Sequence, residues 1–109
     1  MRFHRPERVG SVIQIELSKM IMREVELSGG LITVVEVVVD KKMEHARAHV
    51  SVIPESLEAV ALRKLNMKIG EFQHALNHKM GIRPMPLVSF VLDHGNEHAA
   101  KIDRLLKQG

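Results

Sequence analysis

The stretch from Leu57 to Asp93 constrains the fold more than any other part of the chain. It contains a helical pattern, an interruption at Gly70, a second helical pattern and a strand. Apolar residues recur every three or four positions on both sides of Gly70, as they do along the buried face of a helix. This stripe consists of Leu57, Val60, Ala61, Leu65, Ile69, Phe72, Ala75, Leu76 and Met80. The pattern therefore predicts two helices that press one apolar face onto a common core.

Gly70 separates the two predicted helices. Glycine inside a helix costs about 1 kcal/mol relative to alanine, so its presence favours either a backbone bend or the close approach of another group. An ordinary C-cap glycine between two helices explains it equally well. The sequence leaves both interpretations open.

Three further segments have strand patterns. Residues 31–39 are rich in β-branched side chains and apolar on both faces, which is typical of a central or covered strand. After the polar turn 40–44, alternation over 45–52 predicts a strand with one buried face and one solvated, partly basic face. The short turn favours an antiparallel hairpin. Residues 87–92 form the third predicted strand.

Helical patterns flank these strands. The first begins at Pro6, which suits the first turn of a helix, and Gly29-Gly30 should end it. The last is a short helix after Gly95-Asn96 with Ala99, Ile102, Leu105 and Leu106 on its apolar stripe. The order predicts an α+β fold with helices on one face of a three-stranded sheet. At 109 residues the chain is expected to be a single domain, 1–109, with a mobile lead-in at 1–5.

Composition narrows the classes of function. The chain has no cysteine, no apolar run near the roughly 18 residues of a membrane span and no signal-peptide pattern, so a soluble cytoplasmic protein is expected. The net charge of +3 is compatible with an anionic partner. With only three phenylalanines as aromatics, RNA recognition by an aromatic sheet surface is disfavoured. Binding to nucleic acid should then depend on backbone contacts and shape.

Catalytic and metal patterns are weak. His74 and His78 have the i, i+4 spacing that lets two imidazoles share an ion, but Ala75 stands where a metalloprotease would carry its glutamate. The sequence near them offers no third ligand, so solvent-facing histidines are the favoured interpretation. No serine lies in a nucleophile elbow and no phosphate-cradling loop is present. We therefore expect neither an enzyme nor a cofactor.

Basic residues fall into four clusters along the chain. These are Arg2, Arg5 and Arg8; Lys41, Lys42 and Arg47; Arg63, Lys64 and Lys68; and Lys79 and Arg83. Taken singly, each cluster is explained by a solvated face. Together, near a helix that restarts after Gly70, they favour contact with a phosphate backbone, with Lys68 supplying countercharge.

The chain resembles the ribosome-binding factor A family over nearly its whole length. The resemblance lies in the order and spacing of the segments 5–9, 22–25, 33–34, 46–52, 82–83 and 102–106, with Gly70, Phe72, Leu76, Met80, Pro86 and Phe90. It implies a type II KH-like fold, in which an Ala-x-Gly kink replaces the usual GxxG loop. In this chain the triplet is Lys68-Ile69-Gly70, with lysine in place of the alanine.

The resemblance also implies a function. Family members are not enzymes; they bind the free small (30S) ribosomal subunit and its 16S rRNA late in assembly and help to process the 5′ end of the rRNA. A monomer is expected, and an assembly GTPase is an implied partner. The predicted RNA-binding residues are Arg5, Arg8, Lys41, Lys42, Arg47, Lys64, Lys68, Gly70, Lys79 and Arg83. The alternatives are a DNA-binding helix-turn-helix regulator that reads with 72–80 and a small metal-dependent hydrolase built on His74 and His78.

Overall fold

The computed structural model describes residues 5–94, which form two α-helices and three β-strands. In chain order these are α1 (Pro6–Glu24), β1 (Leu31–Val39), β2 (His45–Ile53), α2 (Glu58–Met80) and β3 (Leu87–Leu92). A single 3₁₀ turn, Glu55–Leu57, precedes α2. The predicted α+β class is confirmed, and all three predicted strands form. The predicted helix after Gly95 lies outside the described residues.

The sheet is mixed, with the order β1-β2-β3. β1 and β2 form the expected antiparallel hairpin, with a bulge between Val34 and Glu36. β3 runs parallel to β2, so the chain crosses from one end of the sheet to the other through α2. β1 therefore lies at an edge of the sheet, and the alternative of a central position is wrong.

Both helices cover one face of the sheet. The alternation in β2 divides as predicted: Ala46, Ala48, Val50 and Val52 are buried, while the intervening side chains are exposed or half-buried. The covered face meets Ile13 and Leu17 of α1 and Phe72 and Leu76 of α2, all at 1% exposure or less. Phe72 packs edge to face on Phe90 of β3, with ring centroids 6.4 Å apart. The core is therefore a single layer between sheet and helices.

Polar side chains of both helices reach the backbone of the outer strands. Gln14 Nε2 donates to the carbonyl oxygens of Val34 and Val35, each at 3.1 Å, at the bulge in β1. Gln73 Oε1 accepts from Val88 N–H at 2.8 Å, and Gln73 Nε2 donates to Pro86 O at 3.0 Å. These bonds fix α1 against β1 and α2 against the start of β3.

Two predictions about the helices are wrong. α1 ends at Glu24, before Gly29-Gly30, because Val25 is already extended and Gly29, with φ of 76°, serves the following turn. The two helices predicted around Gly70 are one continuous helix. A penalty near 1 kcal/mol for one glycine is small beside the burial of apolar side chains on both sides of it, so the helix persists. The type II KH-like assignment remains a prediction.

Over residues 5–94, no helix combines the length and the apolar character that crossing a membrane requires.

Candidate nucleic-acid interface

Three separate segments meet at one end of the sheet, which we call the hairpin end. Val39 pairs with Ala46, and His45 pairs with Leu87, so the turn 40–44 and the loop 81–86 lie side by side. The first turns of α1 reach the same end, because Gly10 packs against Val39. The hairpin end thus consists of the start of α1, the last turn of α2 and the segments 40–44 and 81–86.

The turn 40–44 is held by one carboxylate. Asp40 Oδ1 accepts from the backbone N–H of Glu44 at 2.7 Å and of His45 at 3.2 Å. Asp40 Oδ2 lies 3.2 Å from His45 Nδ1. The hydrogen bond from Glu44 N–H is the main reason that the pKa of Asp40 is lowered from its ordinary value. The fixed turn presents Lys41 and Lys42, both exposed, beyond the sheet.

The loop 81–86 is anchored at both ends. Gly81 adopts the left-handed conformation, with φ of 65°, and ends α2 as a C-cap glycine does. At the other end Leu87 N–H donates to Glu44 O at 2.9 Å, which ties the loop to the hairpin turn. Arg83 is exposed between these anchors.

Six of the ten predicted RNA-binding residues lie at the hairpin end, and all six are exposed. They are Arg5, Arg8, Lys41, Lys42, Lys79 and Arg83. The carboxylates on the same segments are Glu7, Asp40 and Glu44, and Asp40 is engaged within the turn. The hairpin end therefore carries an excess of positive charge drawn from three separate stretches of the sequence.

Lys79 is the one of these six with a carboxylate partner in another helix. Its Nζ donates to Glu16 Oε1 at 2.8 Å, and Lys19 Nζ lies 3.8 Å from Glu16 Oε2. The hydrogen bond from Lys79 is the main reason that the pKa of Glu16 is lowered. Part of the Lys79 charge is thus already balanced, which makes it a weaker candidate for phosphate contact than Arg8 beside it.

The other four predicted residues lie elsewhere. Arg47 is exposed on the uncovered face of the sheet, between Val38 and Ser89 of the neighbouring strands. Lys64 and Lys68 line a cleft with the segment after α1, where Lys64 Nζ donates to Glu26 O at 2.6 Å. Gly70 is exposed in the middle of α2. The structure therefore places six of the ten predicted residues at the hairpin end and distributes the other four over three further places, and the role of each residue in RNA binding stays a prediction.

His74 and His78 lie apart from the three-ligand cluster that the described residues contain. Within residues 5–94, that cluster is Asp40, Glu44 and His45. The hydrogen bonds of Asp40 described above already explain why these three residues lie together in the turn. His74 and His78 are exposed and stack edge to face, with centroids 5.1 Å apart. They line a cleft with Arg83 that was not predicted, because only their i, i+4 spacing was visible in the sequence.

The fold and charge distribution define a small α+β protein with a three-stranded mixed sheet and one basic end. The family model of ribosome-binding factor A matches residues 5–106, and the chain belongs to that family. Ribosome-binding factor A of Thiobacillus denitrificans is 34% identical over 107 residues, which cover 96% of this chain and 86% of the relative. That of Pelodictyon phaeoclathratiforme is 39% identical over 107 residues, covering 94% and 88%.

Two structures of ribosome-binding factor A share the fold, one of them a crystal structure. The crystal structure of ribosome-binding factor A from Thermus thermophilus has a TM-score of 0.68 at 22% identity, covering 82% of this chain and 97% of the other. A homology model of the Thermus thermophilus protein, fitted into the cryo-EM map of a 30S complex, has a TM-score of 0.65 at 22% identity. It covers 79% of this chain and 92% of the other. The resemblance found in the sequence is therefore confirmed.

Proposed function

We propose that this protein is an assembly factor that binds the free 30S subunit through its 16S rRNA. It acts late in maturation, assists processing of the 5′ end of the rRNA and catalyses no covalent step. It works in the cytoplasm, where an assembly GTPase is a further partner. The observation that carries the proposal is the group of six exposed cations at the hairpin end, in a chain of the ribosome-binding factor A family.

Electrostatics supports contact with an RNA backbone. Cations that neutralise phosphates release condensed counterions, so affinity falls as salt rises. If all six residues reach phosphates, the slope of log affinity against log salt should be about −4 for single-stranded RNA. Rigid anchoring of Lys41, Lys42 and Arg83 lowers the conformational cost of presenting them.

Binding promotes maturation only if it distinguishes two states of the subunit. A ligand with equal affinity for both conformations shifts neither population. We therefore propose that the hairpin end binds an rRNA arrangement present in the immature subunit and weakened in the mature one. The lower affinity for the mature arrangement then favours release.

The test is co-sedimentation with small subunits, large subunits and whole ribosomes across a salt series. We expect selective pelleting with small subunits, weakening as salt rises. The double variant Lys41→Glu/Lys42→Glu should bind more weakly and with a shallower salt slope. Its matched control is Arg23→Glu/Arg63→Glu, which makes the same change of net charge at exposed residues away from the hairpin end. Equal losses in both variants, or equal binding to all three particles, would contradict the proposal.

Two observations on residues 5–94 count against the alternatives. A helix-turn-helix needs a turn before its recognition helix, but residues 58–80 form one uninterrupted helix. A hydrolase built on His74 and His78 needs a third ligand for its metal, and neither histidine belongs to the three-ligand cluster found within residues 5–94.

A further inference from the structure

An open cleft of about 450 Å³ lies where the last turns of α2 meet the loop 81–86. Its volume is within the range of about 300–1,000 Å³ that ligand sites occupy. The polar side chains that line it are Gln73, His74, Asn77, His78 and Arg83, and Met85 contributes to an apolar wall. Among the residues that the structure describes, no carboxylate lines this cleft. A ligand with hydrogen-bond acceptors and a flat apolar face fits such a lining.

The orientation of the Asn77 amide follows from the backbone of β3. Gln73 accepts from Val88 N–H, so the accepting atom is its oxygen, and its nitrogen faces Pro86 O. The same Nε2 donates to Asn77 Oδ1 at 3.0 Å. Asn77 therefore turns its oxygen toward Gln73, and its Nδ2 keeps two N–H donors for a ligand. This chain of hydrogen bonds fixes the donors at the cleft before any ligand arrives.

Three planar side-chain groups contribute to the same lining. The rings of His74 and His78 pack edge to face at an interplanar angle of 67°, and both residues are exposed. Arg83 adds a planar guanidinium at the same cleft. Unstacked RNA bases bind by stacking on aromatic rings or on guanidinium planes. These groups make up for the scarcity of phenylalanine, tyrosine and tryptophan in the chain.

The position at the end of α2 distinguishes a base from a phosphate. The free carbonyls and the dipole of a helix C-terminus carry partial negative charge, which offsets part of the positive charge of Arg83 and so weakens the attraction of this cleft for a phosphate. The binding of a neutral base does not depend on that attraction. We propose that this cleft binds one unpaired RNA base, stacked on the histidine pair and held by hydrogen bonds from Asn77 Nδ2. The inference rests on the proposed function and assigns a base-binding site separate from the backbone contacts of Lys41 and Lys42.

The first test compares His78→Ala with His78→Phe. The probes are a labelled eight-nucleotide oligouridylate, whose bases offer carbonyl acceptors to Asn77, and the same backbone without bases. Fluorescence anisotropy at fixed salt gives the dissociation constants. We expect wild type to prefer the oligonucleotide with bases, the alanine variant to bind it about tenfold more weakly, and the phenylalanine variant to retain the affinity. Thermal unfolding checks that both variants fold.

Three results would overturn the proposal. If wild type binds the probes with and without bases equally well, base recognition is excluded. Equal affinity of the alanine variant and wild type removes the ring from the contact. A phenylalanine variant as weak as the alanine variant shows that the imidazole nitrogens matter, as in metal or anion binding, and that stacking does not.

The second test concerns Asn77. The variant Asn77→Asp keeps the acceptor for Gln73 and loses both donors, so affinity for the oligouridylate should fall about tenfold. Asn66→Asp is the matched control, because Asn66 is exposed on the same helix and does not line the cleft. Equal losses in the two variants would show an effect of charge alone and would exclude Asn77 from the site.

Co-sedimentation separates this inference from the proposed function. If wild type pellets with small subunits and His78→Ala leaves both subunit and oligonucleotide binding unchanged, the cleft assignment is wrong and the assembly-factor proposal stands. If wild type fails to pellet with small subunits, the proposed function is wrong, whereas base discrimination by the oligonucleotides still decides whether the cleft binds a base.

Discussion

Replacing Gly70 by alanine should stabilise the protein, because Gly70 has no structural need to be glycine. The residue lies in the middle of α2 and is exposed, and its φ is not in the left-handed region. A Cβ built at this position meets no atom within 4 Å. The substitution therefore gains the full difference in helix propensity without a steric cost.

The magnitude follows from that propensity. Alanine is favoured over glycine in a helix interior by about 0.8–1.0 kcal/mol. For a domain of this size, 1 kcal/mol corresponds to an increase in Tm of about 4 °C. Urea unfolding followed by circular dichroism should show a higher midpoint with an unchanged slope, since the surface exposed on unfolding barely changes.

A lower midpoint for Gly70→Ala would refute this reasoning, because it would mean that the backbone at residue 70 needs a conformation that alanine resists. Subunit binding of the same variant gives a second, independent result. Binding equal to wild type means that Gly70 has no part in the RNA contact. A stabilised variant that binds weakly means that RNA approaches the helix where a methyl group obstructs it.

Three other substitutions test contacts described above. Gly10→Ala should destabilise the protein, because the new Cβ would lie 2.5 Å from Val37 O. Chemical denaturation should show a lower free energy of unfolding than wild type, in contrast to the higher value expected for Gly70→Ala. Gln73→Leu removes the side-chain partners of Pro86 O and Val88 N–H and should cost about 1–3 kcal/mol in urea unfolding. A loss below about 0.5 kcal/mol would contradict this. Asp40 has a pKa held below its ordinary value of 3.8, so its stabilising contribution is present above that pH and is lost as the pH falls through the folded pKa. The stability difference between wild type and Asp40→Asn should therefore shrink under acid, and a constant difference from about pH 7 to pH 2 would exclude this role.

Local patterns predicted most of the fold. Strand residues 31–39 and 87–92 were predicted with the observed bounds, because β-branched runs ended by polar or proline residues mark strands directly. The burial of Ala46 and Ala48 followed from period-2 alternation. Strand bounds and burial patterns depend on near neighbours in the chain, so they can be predicted from the sequence.

The errors arose where tertiary packing outweighs a local preference. At Gly70 the local signal for a break was real, but burial of Leu65 and Phe72 on either side kept the helix intact. The cleft at His74 and His78 could not be predicted, because its second wall comes from the loop around Arg83. The path of that loop depends on the hydrogen bond that Leu87 N–H, just after the loop, donates to Glu44 O. The separation of Lys64 and Lys68 from Lys79 and Arg83 also could not be predicted, because it depends on α2 crossing the sheet from one end to the other.

The two glutamines that join the helices to the outer strands have a consequence for association between chains. An open sheet offers unpaired N–H and C=O groups at its borders, which act as templates for strand addition and aggregation. In this protein Gln14 occupies carbonyls of β1 next to its bulge, and Gln73 occupies both a carbonyl and an amide at the start of β3. Each border of the sheet is thus partly closed by a side chain of its own helix. Loss of either glutamine should expose a template on which a second chain can extend the sheet.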